Sequence, residues 1–118
     1  MVRDPATGRV LVLEDEESWL SWVEDRAARS GWRYYHTRRS TGSVAGFPDL
    51  CLVRGPRLIF AELKTDHPRS QLSAAQRDWL DDLDVVAGGR RRRKNGYPVP
   101  ETYVWRPRDR DLITAVLA

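Results

Sequence analysis

The chain has one cysteine and only two histidines. Cys51 has no partner for an internal disulfide, and its position in an apolar run predicts a small buried thiol and a reducing compartment. His36 is predicted to lie in a strand and His67 in a loop, and neither has the spacing of a zinc ligand. A disulfide-stabilised scaffold and a zinc finger are therefore excluded.

Long apolar runs are also missing. No stretch approaches the ~20 apolar residues that span a membrane, and the first ten residues, MVRDPATGRV, lack the apolar core of a secretory signal. We therefore expect a cytoplasmic protein. Because 118 residues with five tryptophans supply enough apolar surface for one core, we expect a single domain over residues 1–118.

Positive charge is concentrated in one place. The formal net charge is +3, but five successive positive charges occupy Arg90, Arg91, Arg92, Arg93 and Lys94. Without these five charges, the formal charge of the remainder is −2. The basicity therefore belongs to a loop at 88–100 and predicts one anionic partner that approaches one side of the molecule.

The apolar periodicity predicts an α/β fold. Spacings of three and four residues indicate helices, and short runs rich in apolar and β-branched residues indicate strands. Helices are predicted at about 14–29, from about Ser73 until Gly88 and Gly89 stop it, and at 108–117. The second of these carries Trp79, Leu80, Leu83 and Val86 on one apolar face, which predicts that they face the core. Strands are predicted at 32–37, 49–53, 57–64 and 101–105, with a strand or an extended arm at 9–13. The element order αβββαβα, with or without the leading strand, is typical of a mixed β-sheet flanked by helices.

Two consecutive strands are predicted to form a hairpin around Gly55 and Pro56. Gly55 can take the positive φ of the first loop position of a type II′ turn, and Pro56 suits the second. Residues that pair across this loop have numbers that sum to 111, which puts Asp49 opposite Glu62. Lys64 is two residues after Glu62 and projects from the same face of the sheet.

These three residues predict a site for phosphate chemistry. Two carboxylates opposite each other in a sheet repel unless something positive lies between them, and a divalent cation would meet that need. Magnesium binds one or two protein carboxylates together with water and substrate phosphate, and it lowers the pKa of a bound water. The Lys64 ammonium would orient that water and offset the charge that develops on the phosphoryl group.

The first helix offers a further carboxylate. Glu16 lies three, four and seven residues before the apolar positions of that helix, which predicts that it faces the sheet. Glu17 is rotated by about 100° from it and is the better candidate for a solvated position. We prefer Glu16 and keep Glu17 as the alternative. An acidic first turn favoured by the helix dipole is the simpler explanation of both.

Three segments together resemble a known nuclease family. They are GFPDL at 46–50, FAELKT at 60–65 and LSAAQRDWL at 72–80. In this order they resemble the VRR-NUC branch of the PD-(D/E)xK nuclease superfamily, and the resemblance extends from about Glu16 to Trp105. The Asp and Glu-x-Lys elements are common by chance when taken alone, whereas the combination with Gly-Phe-Pro and Gln-x-x-Trp-Leu is specific.

The resemblance implies a restriction-endonuclease-like core that depends on Mg²⁺ or Mn²⁺. It implies metal binding at Asp49 and Glu62, catalysis by Lys64, and a helical glutamate at Glu16. It also matches Gln76 to a glutamine of the family motif, although Gln76 has the spacing of a capping box with Ser73 as well. Small stand-alone members of the family, often of phage origin, look like homodimeric Holliday-junction resolvases.

The basic segment departs from the family pattern because residues 88–100 are longer and more positive than the usual link. Next to a phosphate-hydrolysing site, contact with the DNA backbone is a better explanation of this segment than a solvated loop or a targeting signal. Arg38 and Arg39 are secondary candidates for DNA binding. A nickase or duplex endonuclease without junction preference, and a DNA-binding module that has lost catalysis, are the alternatives to a resolvase.

Overall fold

A four-stranded mixed sheet and three helices form an α/β fold. The structure, a computed structural model, describes residues 2–11, 13–38, 44–88 and 96–118. The described helices are α1 (Glu16–Arg29), α2 (Ala74–Ala87) and α3 (Arg110–Leu117), the last preceded by a 3₁₀ turn at Pro107–Asp109. The described strands are β1 (Val2–Arg3), β2 (Val10–Leu11), β3 (Arg33–His36), β4 (Leu50–Arg54), β5 (Arg57–Leu63) and β6 (Glu101–Trp105). None of the described helices combines the length and apolar character needed to cross a membrane.

The main sheet has the strand order β3-β4-β5-β6. Neighbours are antiparallel except β5 and β6, which are parallel, and α2 lies in the connection between those two strands. The predicted order αβββαβα and the mixed sheet are confirmed. The predicted strand at 9–13 exists over Val10–Leu11, but it pairs with Val2–Arg3 in a separate two-stranded sheet and does not join the main one.

The β4–β5 hairpin has the predicted register. Arg54 pairs with Arg57 around a two-residue loop, in which Gly55 has a φ of 56°. Every pair from there to Leu50 and Ala61 has residue numbers that sum to 111. If this register is extended by one residue beyond Leu50 and Ala61, Asp49 lies opposite Glu62, as the two-residue turn predicts.

Side-chain caps determine where two helices begin. The Asp15 carboxylate accepts a hydrogen bond from the Ser18 backbone N–H at 2.7 Å, so α1 begins at Glu16, two residues later than predicted. Hydrogen bonding to Ser18 lowers the pKa of Asp15 because it favours the charged form. At α2, Ser73 and Gln76 form the predicted capping box, and Gly88 ends the helix with a left-handed φ of 50°.

One face of the sheet packs on α1 and α3 to form the hydrophobic core. Its fully buried side chains include two tryptophans, and burial of each large apolar side chain contributes about 1.5–3 kcal/mol. The core cluster comprises Trp19, Val23, Ala27, Trp32, Leu50, Leu52, Ile59, Ala61, Trp105, Ile113 and Leu117.

The opposite face of the sheet packs on α2. Phe47 joins the two layers, since its ring lies edge-on to Trp79 of α2 at 5.0 Å and to Phe60 of β5 at 5.7 Å between centroids. The helix buries Leu80 and Ala87, whereas Val86 is 72% exposed. The prediction that Val86 faces the core is wrong, because α2 contacts the sheet along the line of Gln76, Leu80 and Ala87, and Val86 lies about 100° away from Ala87.

Cys51 lies on the α2 side of β4 and is half-buried, so the predicted burial of this thiol is only partial. This partial burial raises the pKa of the thiol because the thiolate is disfavoured away from water.

A buried ion pair closes the end of the sheet where β5 and β6 begin. Arg57 donates to both carboxylate oxygens of Glu101, at 2.7 and 2.8 Å, and the two side chains are 6% and 1% exposed. The Tyr103 hydroxyl donates to the same carboxylate at 2.7 Å. Arg57 also donates to the Val116 carbonyl of α3 at 2.9 Å, so the cluster joins the sheet to that helix.

Candidate active site

The other end of β5 carries the predicted carboxylates and lysine. Asp49 immediately precedes β4, and its Oδ2 accepts a hydrogen bond from the Leu63 backbone N–H at 2.9 Å. Glu62 is the last but one residue of β5 and is only 2% exposed. Lys64 follows β5, and its backbone N–H donates to the Trp105 carbonyl of β6 at 3.0 Å. Within the described residues the half-buried Lys64 side chain has no ion pair.

A tightly packed segment leads the chain into Asp49. Gly46 has a φ of 93°, and its backbone lies against the first turn of α2. A Cβ atom at this position would lie 2.5 Å from the Ala75 carbonyl carbon and 2.7 Å from the Gln76 nitrogen. Pro48, two residues later, is fully buried. The Gly46–Phe47–Pro48 segment therefore holds the start of β4, and with it Asp49, against α2.

Gln76 connects the α2 cap to Glu62. Its Oε1 accepts from the Ser73 backbone N–H at 2.9 Å, and its Nε2 donates to Glu62 Oε1 at 3.2 Å. The cap contact determines which end of the amide faces Ser73, so the amino group is directed at the carboxylate. The capping role and the site role, which the sequence left as alternatives for Gln76, are both present in one side chain.

These side chains surround a cavity of about 740 Å³ at the end of the sheet. Four carboxylates line it, against one arginine and one lysine, so the described lining favours a bound cation. The carboxylates belong to Glu16, Glu17, Asp49 and Glu62, the cations to Arg38 and Lys64, and the remaining lining residues are Trp19, Leu20, His36, Thr37, Leu63 and Thr65. An adjoining cavity of about 510 Å³ shares Arg38, Asp49 and Lys64 and is lined by Gln76 as well.

The two helical glutamates both reach this cavity. Glu16 and Glu17 lie in the first turn of α1, and both are exposed. Glu16 lies on the predicted face of α1, since Trp19 and Val23, three and seven residues later, are buried. Its side chain is exposed at the cavity because it is one turn before the first buried position. Glu16 also lines a third cavity, which contains Lys64, and Glu17 does not. This difference favours Glu16, and both residues remain candidates.

A divalent metal can be tested against this donor set. Asp49 and Glu62 supply two carboxylates from paired positions, which matches the one or two that Mg²⁺ takes together with water and substrate phosphate. No group of three or more His, Cys, Asp or Glu side chains within residues 2–11, 13–38, 44–88 and 96–118 is arranged to hold a metal ion. Asp49 and Glu62 thus supply the number of protein carboxylates that Mg²⁺ commonly takes, and neither helical glutamate completes a three-carboxylate group with them.

The structure adds residues to the site that the sequence did not single out for it. His36 and Thr37 line the main cavity, and the Thr37 backbone N–H donates to the Asp49 carbonyl at 2.8 Å. They reach the site because β3 pairs antiparallel with β4, so that the end of β3 meets the start of β4. The residues WRYYHT at 32–37 predict a strand, but nothing in them predicts which strand of the sheet it pairs with.

Arg38 is the one DNA-binding candidate whose place can be described. It is exposed and lines both cavities that contain Asp49 and Lys64. The other candidates, Arg39 and the run Arg90, Arg91, Arg92, Arg93 and Lys94, lie outside the described residues.

Comparisons with models of protein families, with curated proteins and with solved structures found no match for this chain.

Proposed function

We propose that this protein is a metal-dependent endonuclease that hydrolyses phosphodiester bonds in DNA, and that its α/β fold is a restriction-endonuclease-like core. The observation that supports the proposal most strongly is the β4–β5 register, whose continuation by one residue beyond Leu50 and Ala61 sets Asp49 opposite Glu62, two residues before Lys64. Asp49, Glu62 and Lys64 line one cavity with two further carboxylates. The resemblance of the three sequence segments to VRR-NUC nucleases supports the same conclusion.

Asp49 and Glu62 would hold Mg²⁺ or Mn²⁺ in this proposal. When bound, the metal would lower the pKa of a coordinated water and neutralise charge on the phosphoryl oxygens. Glu16, with Glu17 as the alternative, would add a further negative charge from α1 to the same cavity, beside the two metal-binding carboxylates. The Leu63 N–H bond to Asp49 and the Gln76 bond to Glu62 orient the two principal carboxylates.

Lys64 and Arg38 would act on the DNA. The Lys64 ammonium, without an ion pair to any described residue, is available to orient the attacking water and to stabilise charge gathering on the phosphate. Arg38 lies at the rim of the same cavity and would bind a backbone phosphate. Attack of the water on phosphorus would break the bond to the 3′ oxygen, which leaves with a proton.

The proposed substrate is branched DNA of the Holliday-junction type. Symmetric cutting of a four-way junction needs two active sites related by a two-fold axis, so we propose that the protein acts as a homodimer. The basic run from Arg90 to Lys94 would supply contacts to the DNA backbone. The branched substrate and the homodimer follow from the family resemblance, and each has its own measurement below.

The test is cleavage of an end-labelled four-way junction and a linear duplex of equal length, in Mg²⁺, in Mn²⁺ and in EDTA. We expect symmetric cuts in the junction that require metal and that fall by at least about 100-fold in Asp49→Asn, Glu62→Gln and Lys64→Met. Asp78→Asn removes an exposed carboxylate of α2 that lines none of these cavities and is the matched control. Light scattering measures whether the protein is dimeric.

The variants and substrates distinguish the alternatives. Cleavage of the duplex as fast as the junction would retain the chemistry and contradict the junction preference. DNA binding without cleavage in either metal would identify a catalytically silent binding module. Wild-type cleavage rates in folded Asp49→Asn and Glu62→Gln proteins would show that the site assignment is wrong.

A further inference from the structure

The edge strand β3 carries two tyrosines that are largely exposed. β3 is the first strand in the order of the main sheet and pairs only with β4 among the described strands. Tyr34 is 40% exposed and Tyr35 is 66% exposed. Single exposed aromatic residues are common at protein surfaces, so the position of each ring, and not its exposure alone, decides whether it can serve a ligand.

Only Tyr35 projects from the face of the sheet that carries the candidate active site. It pairs with Cys51, which pairs with Phe60, so the three side chains form one row on that face. If the printed register is continued by two residues along each strand, the next row on this face contains Asp49 and Glu62. Rows two residues apart in a strand are separated by roughly 7 Å. Tyr35 therefore lies one row from the carboxylates, and Tyr34 projects to the opposite face.

The chain around Tyr35 is basic and contains no acidic residue. Between Asp25 and Asp49 there is no aspartate or glutamate, and the arginines in this interval are Arg26, Arg29, Arg33, Arg38 and Arg39. Arg33 is exposed on the same face as Tyr35, and Arg38 lines the cavity beyond it. Pairing β3 with the same strand of a second copy would bring like charges together, so this charge pattern favours a polyanion over a second protein chain.

We propose that Tyr35 is a stacking platform for a base of the DNA strand that enters the active site. Within a duplex both faces of a base are already stacked, so a planar ring on the protein surface can stack only on an unpaired or extruded base. The protein therefore selects DNA in which a base beside the scissile phosphate can leave the stack, either unpaired, as in a bulge, or extruded at the centre of a four-way junction. This inference rests on the proposed nuclease function and names its substrate class.

The test measures binding in EDTA, where cleavage is not required. Anisotropy of fluorescein-labelled 12-mer oligothymidine and of a 12-base-pair duplex is titrated with wild-type protein, Tyr35→Ala, Tyr35→Phe and Tyr34→Ala. Loss of one base stack predicts that Tyr35→Ala binds oligothymidine roughly 5- to 150-fold more weakly, with duplex affinity unchanged. Tyr35→Phe retains an aromatic face and binds as the wild type does. Tyr34→Ala removes the neighbouring ring from the opposite face and is the matched control.

Three outcomes would overturn the proposal. They are wild-type binding of oligothymidine by folded Tyr35→Ala protein, equal weakening for oligothymidine and duplex, and a shift from dimer to monomer in Tyr35→Ala, which would assign this face to a second copy. The result is independent of catalysis. If Tyr35→Ala weakens binding of oligothymidine but the wild-type protein cuts no DNA, only the proposed nuclease function is contradicted. If the protein cuts DNA but Tyr35→Ala binds oligothymidine as the wild type does, only the proposed stacking role is contradicted.

Discussion

Gln76 Nε2 donates a hydrogen bond to Glu62 Oε1 at 3.2 Å while Gln76 Oε1 caps the first turn of α2. One amide thus joins the start of a helix to a buried carboxylate on the central strand β5. Since the cap determines the orientation of the amide, the conformation of Glu62 depends on a local feature of α2. Substitution of Ser73 and substitution of Gln76 should therefore have different effects on stability and on activity.

Ser73→Ala and Gln76→Ala separate these two roles. Ser73→Ala removes the side chain that accepts from the Gln76 backbone N–H at 3.1 Å and should lower the free energy of unfolding by about 1 kcal/mol with little change in cleavage rate. Gln76→Ala removes the Glu62 contact as well and should lower the cleavage rate by roughly tenfold or more. Denaturant unfolding and single-turnover cleavage of the junction measure both effects. Equal cleavage rates for the two variants would mean that Gln76 serves only as a cap.

Gly46→Ala should disturb the site through its steric contact with α2. The added Cβ would lie 2.5 Å from Ala75 backbone, at a φ of 93° that L-residues rarely adopt. Gly8→Ala is the matched control, because Gly8 has a φ of 72° with no atom within 4 Å of its Cβ position. Left-handed strain costs about 1–2 kcal/mol in either variant, and overpacking adds about 1–3 kcal/mol at Gly46 alone.

Thermal or denaturant unfolding compares the two glycine variants. In addition, metal-dependent cleavage should fall only in Gly46→Ala, because the segment that it displaces leads directly into Asp49. If Gly46→Ala and Gly8→Ala lose the same stability and retain the same activity, the contact with α2 does not position Asp49.

Ionisation of Tyr103 should make the protein less stable at alkaline pH. Burial, and then its hydrogen bond to Glu101, raises the pKa of Tyr103 well above the ordinary value of 10.0. The unfolded chain therefore loses this proton first, and the stability that Tyr103 contributes is complete below about pH 10 and declines as the pH rises further. In Tyr103→Phe the decline in unfolding free energy between about pH 9 and 11 should be smaller. Unchanged pH dependence in the variant would exclude Tyr103 as its source.

The Arg57–Glu101 pair should contribute strongly to stability, because removal of one partner leaves a buried charge. Arg57→Met should lower the free energy of unfolding by about 3–5 kcal/mol, and the double variant Arg57→Met with Glu101→Leu should recover part of that loss. Arg29→Ala breaks an exposed pair with Asp25 and should cost at most about 0.5 kcal/mol. Urea unfolding of the four proteins checks this order, and a double variant no more stable than Arg57→Met would contradict it.

Much of the candidate site follows from local chemistry in the sequence. A two-residue loop at Gly55 and Pro56 permits only one register, and this register alone places Asp49 opposite Glu62. The starts of α1 and α2 follow from Asp15 and Ser73, whose side chains satisfy backbone donors within three residues. These contacts involve neighbours in the chain, so the residue types decide them before any distant packing is known.

Contacts between distant segments required the tertiary structure. The sequence contains no signal that β3 pairs with β4, which brings His36 and Thr37 to the cavity. The family resemblance connects Gln76 with the site, but only the structure shows that it contacts Glu62, fourteen residues away. Periodicity predicts that Val86 faces the core, but α2 meets the sheet along a different line and Val86 is exposed. Periodicity identifies an apolar stripe and a turn determines a register, because both act over a few residues. The choice of neighbouring strands and the rotation of a helix depend on how the whole core packs, and many distant side chains decide it together.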